Sequence, residues 1–370
     1  AMDAFRTGLQ HDPNHAQGLS LLSKLLSDSG RSAEGEQYAL MALRIDPKLP
    51  LAHYALGLAC RVQGRTDAAL NALSLAARTS DVAALRNESV YLQTLCHIDQ
   101  KRFSLALPLA EALMPMSQTD QQRGVAHHLI GSVLFDAGRV PEAREHFAAA
   151  VRLSPNFIQH RISHTANALY VDEDSGQAHR ALAEHLLGTL NVQSLQSPDV
   201  IATARTVDSA FESPRRIRLG WLSGDFRLHS CAFFLEPLLE KLDPNSFEFF
   251  AYDTGSRMDA VMVRFQQLIP NWHSVAHLRP IDLAQTIATD QLDVLIDLAG
   301  LTDGGRIEAL AAQPAPVQIS WLGYLGTSGH PAIQYRLTDR WAENPIGPTC
   351  SVEQPIVLER PYVCYRAPTD

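Results

Sequence analysis

The chain is short of positive charge: 31 Lys and Arg stand against 40 Asp and Glu, a formal net charge of −9. That balance excludes a protein held to nucleic acid by bulk phosphate attraction. Long apolar runs are missing too. No uninterrupted apolar stretch approaches the ~18 residues of a membrane-spanning helix, and the opening AMDAFRTGLQ has no apolar signal core. Cysteine is sparse. Cys60, Cys96, Cys231, Cys350 and Cys364 are an odd number without a CxxC pair, which excludes a disulfide framework or a paired-cysteine zinc cluster. They read as reduced thiols of a cytoplasmic protein. Neither GxGxxG nor a P-loop occurs, so NAD binding and NTPase chemistry lose their main support.

What the sequence does have is a period. Asp12-Pro13 returns as Asp46-Pro47, and Gly30 as Gly64, each displaced by 34 residues. Gly57, Gly64, Ala69, Leu73 and Ala76 in one copy answer to Gly131, Gly138, Ala143, Phe147 and Ala150 in another. A period of this length with small residues at fixed helical spacings is the tetratricopeptide (TPR) signature. Each unit is a pair of antiparallel helices, and small side chains let the two approach. Pro13, Pro47 and Pro155 stop the second helix, because the ring clashes with the preceding turn. Repeats are expected near 16–49, 50–83 and 124–157, a degenerate one around 86–120, and the tail of an earlier one over 1–15. One such pair cannot bury its own apolar face, so the units stack into a solenoid whose concave side takes peptides or proteins, or which serves only as a spacer.

Residues 158–212 lose the repeat phase but keep a helical pattern and read as a helical connector. Asp172-Glu173-Asp174 matches a DxD metal motif formally, yet it lies between helical stretches rather than after a strand and reads as a solvated acidic loop. His160, His164, His179 and His185 lack clean zinc spacing.

From Ile217 onward the period changes. IRLGWLS, FEFFAY, DVLIDLA, VQISWLG and YRLTD are short apolar runs of buried-strand type, separated by helical patterns. Alternation of this kind predicts a parallel sheet covered on both faces, so the fold class is a TPR α-solenoid over 1–157 followed by a Rossmann-like α/β lobe over 213–370. Ligands of such sheets bind beyond the carboxyl ends of the strands. That rule singles out Asp225 and His229 after the first strand, the loop Gly300 to Gly305, and WLGYLGTSG with Gly323, Gly326 and Gly329. Trp221 and Trp321 read as core aromatics rather than stacking platforms.

RIRLGWLSGDF followed by His229, DVLIDLAGLTDGGR, PAPVQISWLGYLGTSG and YRLTD, in this order behind a TPR array, resemble the O-linked N-acetylglucosamine (O-GlcNAc) transferase family over essentially the whole chain. The resemblance implies the first lobe of a GT-B glycosyltransferase. It implies an inverting enzyme without metal or cofactor that moves GlcNAc from UDP-GlcNAc to Ser or Thr of proteins, with the TPR groove recruiting acceptors. It also implies His229 as candidate base, Asp225 as a neighbour that accepts or relays the acceptor proton, Leu322 and Gly323 lining the sugar pocket, and Tyr324 and Thr327 in the same loop. A second family histidine in the connector matches His164, with His160 as rival.

Departures are visible as well. Leu325 stands where relatives carry proline, Gln313 replaces an arginine before PAP, and Leu21, Ala55 and Leu129 stand where an asparagine ladder would run. The resemblance further implies a C-terminal donor lobe as partner beyond Asp370, so that residues 1–370 alone should hold a donor poorly. A SPINDLY-type protein O-fucosyltransferase using GDP-fucose, and a TPR adaptor with a non-catalytic lobe, are the competing readings.

Overall fold

A computed structural model describes residues 2–171, 176–188, 190, 215–255, 258–343 and 350–367; Asp172-Glu173-Asp174 lies outside them. The chain forms two compact units, residues 1–167 and 168–370.

The first unit is helical. A lead helix α1 (Met2–His11) precedes four helix pairs: α2 (Ala16–Asp28) with α3 (Ser32–Ile45), α4 (Pro50–Val62) with α5 (Thr66–Thr79), α6 (Ala83–Asp99) with α7 (Phe103–Met116), and α8 (Asp120–Asp136) with α9 (Val140–Leu153). Helix α10 (Ile158–Ala168) follows. Within each pair the turn needs one residue in the left-handed region. Gly30, Gly64 and Gly138 supply it with φ of 81°, 74° and 80°, and in the third pair Lys101 takes the same place at φ 56°. Only glycine reaches that region without a Cβ penalty. The small positions expected to permit close helix contact do so: a Cβ on Gly57 would come within 2.6 Å of Leu73 Cγ. Where the helix-stopping proline is missing, other turn chemistry replaces it. Ser80 Oγ accepts the Val82 N–H at 3.1 Å, and α8 opens with a Thr119–Gln122 capping box.

The second unit opens with α11 (Gly176–Leu187) and is built on seven parallel strands: β1 (Ile217–Ser223), β2 (Phe247–Asp253), β3 (Asn271–Ser274), β4 (Val294–Asp297), β5 (Val317–Ser320), β6 (Tyr335–Asp339) and β7 (Gln354–Leu358). Their spatial order is β3-β2-β1-β4-β5-β6-β7. The parallel sheet expected from the apolar runs is therefore present, with β3 and β7 added at its two edges. Between strands lie α12 (Ala232–Leu239), α13 (Ala260–Leu268), α14 (Pro280–Thr289) and α15 (Ile307–Ala311). Alternate residues Leu219, Trp221, Phe249 and Ala251 pack with Leu235 of α12 and Phe265 of α13. The intervening Leu222, Phe250, Tyr252 and Leu295 are buried as well, so both faces of the sheet are covered. Trp221 and Trp321 sit in this core with ring centroids 6.2 Å apart.

Chain order reverses between β1 and β4. Crossovers from β1 run toward β3 and those from β4 run toward β7, which leaves a crevice beyond the carboxyl ends of these two strands. A common device closes the strands there. Ser223, Asp253, Asp297 and Asp339 each end a strand, are buried, and accept a backbone N–H two residues on: Asp225, Gly255, Ala299 and Trp341. A side-chain acceptor at this position satisfies the first donor that leaves the ladder and bends the chain sharply out of the sheet.

Candidate active site

The loop after β1 is anchored before it is functional. Phe226 is 1% exposed, with its ring 5.5 Å from Phe265 and 5.1 Å from Trp272, centroid to centroid. Asp259, at the start of α13, accepts the Val261 and Met262 N–H groups with one oxygen and the Leu228 N–H at 2.7 Å with the other. Burial pushes the Asp259 carboxyl up, but these donors and the nearby Arg227 cation bring it below the usual aspartate range. The loop is tethered on the far side too, since Thr254 donates its backbone N–H to the Ser223 carbonyl and its hydroxyl to the Gly304 carbonyl at 2.7 Å. Loops from β1, β2 and β4 thus meet at the crevice.

On this platform the two residues selected from sequence come together. His229 Nδ1 lies 3.4 Å from Asp225 Oδ2, with the aspartate side chain 12% exposed and the imidazole 35%. Arg227 holds the other carboxylate oxygen at 2.8 Å, and the Cys231 N–H donates to His229 Nδ1 at 3.3 Å. Sequence reading missed Arg227 and Cys231. The only trace of Cys231 was its place two residues after a singled-out histidine.

The second loop, WLGYLGTSG, carries strain. The Gly323 N–H bonds back to the Trp321 carbonyl at 3.0 Å, and Leu322 between them has φ 76°, an uncommon conformation for a branched side chain. A Cβ on Gly323 would stand 1.9 Å from the Leu298 carbonyl oxygen, so this loop lies directly on the loop after β4. Leu322 and Gly323 are half-buried. Tyr324 and Thr327 instead turn inward. The Tyr324 hydroxyl sits 3.3 Å from His179 Nε2 on α11, and burial raises its pKa. Thr327 donates to the buried Glu353 at 2.7 Å and accepts from the Gly329 and Val352 N–H groups. Ser328 is held by the same carboxylate. These contacts make Tyr324 and Thr327 supports of the loop, with their polar atoms already engaged.

Under the second loop, His179, Gly326, Arg336, Glu343 and Cys350 line a cavity of about 180 Å³ crossed by an Arg336–Glu343 ion pair at 2.8 Å. His164 belongs to the helical unit, half-buried on α10. His160, its rival, is built into that unit's core: its Nδ1 is 3.1 Å from the Ala150 carbonyl, its ring stacks 5.1 Å from His128, and burial lowers its pKa.

Residues 180–351 match the family model of Glycosyl transferase family 41, and residues 97–156 match a tetratricopeptide repeat model. The probable UDP-N-acetylglucosamine–peptide N-acetylglucosaminyltransferase SPINDLY of Arabidopsis thaliana is 30% identical over 162 residues, 43% of this chain and 18% of that protein. The corresponding SEC protein of the same plant is 30% identical over 128 residues, 34% of this chain and 13% of that one. Among solved structures, a point mutant of Thermobaculum terrenum O-GlcNAc transferase shares the fold with a TM-score of 0.62 at 24% identity, over 94% of this chain and 58% of that one. The chain therefore spans a small fraction of the plant relatives and little more than half of the bacterial structure. Residues 180–351 are thus similar to glycosyl transferase family 41, and in this chain that region lies beside one that matches tetratricopeptide repeats.

Proposed function

We propose that the protein takes part in transfer of a sugar from a nucleotide donor to serine or threonine hydroxyls of proteins, with UDP-GlcNAc as donor and the TPR groove recruiting the acceptor. The observation that carries this reading is the Asp225–His229 pair in the crevice where chain order reverses, within a region that matches a glycosyltransferase family model.

In this reading His229 Nδ1 releases the Cys231 N–H that it accepts in this structure, takes the ring proton and donates it to Asp225, which leaves the Nε2 lone pair for the acceptor hydroxyl. As that oxygen attacks the anomeric carbon from one face, the bond to the diphosphate breaks on the other and its electron pair leaves with the diphosphate, inverting the centre. The hydroxyl proton passes to Nε2, and the Asp225 carboxylate stabilises the resulting imidazolium. Arg227 holds the other oxygen of Asp225 and so aims the carboxylate. Leu322 and Gly323 form the sugar-side wall, and the strained Leu322 backbone fixes that wall in one position. We assign the chemistry no metal and no cofactor, and keep His164 as a second histidine for acceptor or donor positioning. Diphosphate contacts are assigned to a C-terminal lobe as partner. Five unpaired thiols suit a reducing cytoplasmic compartment.

The test is transfer by the complete protein with UDP-GlcNAc and GDP-fucose in parallel. We expect GlcNAc transfer, lowered by about 100-fold or more in His229→Ala, with the helical content unchanged. Preference for GDP-fucose replaces the donor assignment, and undiminished transfer by His229→Ala removes His229 from the mechanism. Absence of any nucleotide-sugar binding favours an adaptor.

A further inference from the structure

The geometry points to a capture site for a thiophilic divalent cation of the zinc class, formed by Asp225, His229 and Cys231, and we infer that such a cation silences this loop rather than serving it. The three side chains leave one short segment between β1 and α12. Asp225, His229 and Cys231 each offer one ligand atom, these atoms all lie within 4.8 Å of one another, and among the described residues no other trio of His, Cys, Asp and Glu converges so closely.

Donor chemistry selects the ion. A carboxylate oxygen, an imidazole nitrogen and a sulfur suit a borderline-soft cation, whereas magnesium and calcium take oxygen ligands. Tetrahedral zinc with bonds of about 2.0 Å to nitrogen and oxygen places those two atoms roughly 3.3 Å apart. The observed His229–Asp225 spacing of 3.4 Å already meets this. Drawing in the Cys231 sulfur, which lies within 4.8 Å of the other two donors, completes three ligands and leaves a fourth position open to water.

The surroundings favour it. Phe226 in the core and the Asp259–Leu228 hydrogen bond fix the segment on which all three ligands sit. Arg227 occupies only Asp225 Oδ1 and leaves Oδ2 facing the imidazole, as an outer partner orients a metal-bound carboxylate. On binding, the Cys231 S–H proton leaves to solvent as the sulfur–metal bond forms, and no electron changes hands.

A cation at Nδ1 displaces the Asp225 contact, adds positive charge to the ring and lowers the basicity of Nε2. That consequence for sugar transfer rests on the function proposed above; the binding itself does not.

Cobalt(II) and zinc titrations of the full chain, under reducing conditions, separate the two. The wild type is expected to develop a thiolate-to-cobalt charge-transfer band that saturates at one equivalent. In Cys231→Ser the band disappears and zinc affinity by calorimetry falls by about 100-fold, although Cys60, Cys96, Cys350 and Cys364 remain. His229→Gln keeps every thiol and is expected to lose zinc affinity similarly, which covers the event that Cys231→Ser folds poorly. An unchanged band in Cys231→Ser, or no saturable zinc binding by the wild type, overturns the site. With the complete enzyme, zinc inhibition relieved by a chelator and absent in Cys231→Ser supports the silencing role. Inhibition equal in both proteins overturns that role and leaves the titration to judge the site.

Discussion

Lys101 and Gly323 illustrate opposite pressures on single residues. Lys101 holds a turn at φ 56° where the other three repeats use glycine. The left-handed region costs a side chain roughly 1–2 kcal/mol, offset in part by the greater freedom glycine has when unfolded. Lys101→Gly is therefore expected to stabilise the helical unit by about 1 kcal/mol, read as a higher urea midpoint at unchanged slope; a lower midpoint would mean that the lysine side chain makes a compensating contact. Gly323 faces the reverse constraint, with the Leu298 carbonyl oxygen 1.9 Å from where a Cβ would stand. Gly323→Ala must shift one loop off the other and is expected to cost about 3 kcal/mol or more. Tryptophan-detected unfolding of the sheet unit at wild-type midpoint would refute that contact. Asp225 and His229 were legible in sequence because strand-end position alone marks them. Arg227, Cys231 and Asp259 were not, since their roles depend on how the loop folds back over Phe226, and Asp259 lies some thirty residues away in sequence.

Elements were legible where burial made them so. The five apolar runs became β1, β2, β4, β5 and β6, whose inner residues are buried on one or both faces. Two strands escaped notice for physical reasons. β3 is a four-residue edge strand, NWHS, without a fully buried residue, and β7 is an edge strand with Pro355 in it and most residues exposed. The third helix pair was faint because Lys101 replaces the turn glycine and a capping box at Thr119 replaces the proline. β7 nonetheless matters to the candidate site, because Glu353 immediately before it clamps Thr327 and Ser328 of the second loop. Removing a buried carboxylate strands two hydroxyls and a backbone N–H, at about 3 kcal/mol. Glu353→Ala is expected to lower the sheet unit's stability by that amount and to speed amide exchange across 321–329. Unchanged exchange there would show that the strained Leu322 turn holds without the clamp.

Acid should act on the two units in opposite directions. In the helical unit burial holds His127, His146 and His160 below the usual histidine range and pushes His128, stacked on His160 beside Phe147, down to about 4. A depressed histidine is protonated first in the unfolded chain, so its contribution is intact above about pH 6.5 and is lost as pH falls toward the folded value. For His128 the loss reaches up to about 3 kcal/mol. In the sheet unit burial raises Asp253 and Asp297 to about 6, and the Asp290 carboxylate raises His273. Raised groups bind protons more tightly when folded, so the contributions of the two aspartates grow as pH falls through about 6, and that of His273 is present below its raised value and fades above it; His330, lowered by burial, opposes them. All four tryptophans, Trp221, Trp272, Trp321 and Trp341, belong to the sheet unit. Tryptophan fluorescence thus reports that unit, while far-ultraviolet circular dichroism is dominated by the helices. Between about pH 7.5 and about pH 4.5 the dichroism midpoint is expected to drop while the fluorescence midpoint holds or rises. His128→Phe, which keeps an aromatic ring beside Phe147 but cannot take a proton, should remove much of the dichroism shift and leave fluorescence unaltered. Coincident midpoints across that range, or an equal drop in His128→Phe, would mean that these histidines are not the groups whose protonation opens the repeats.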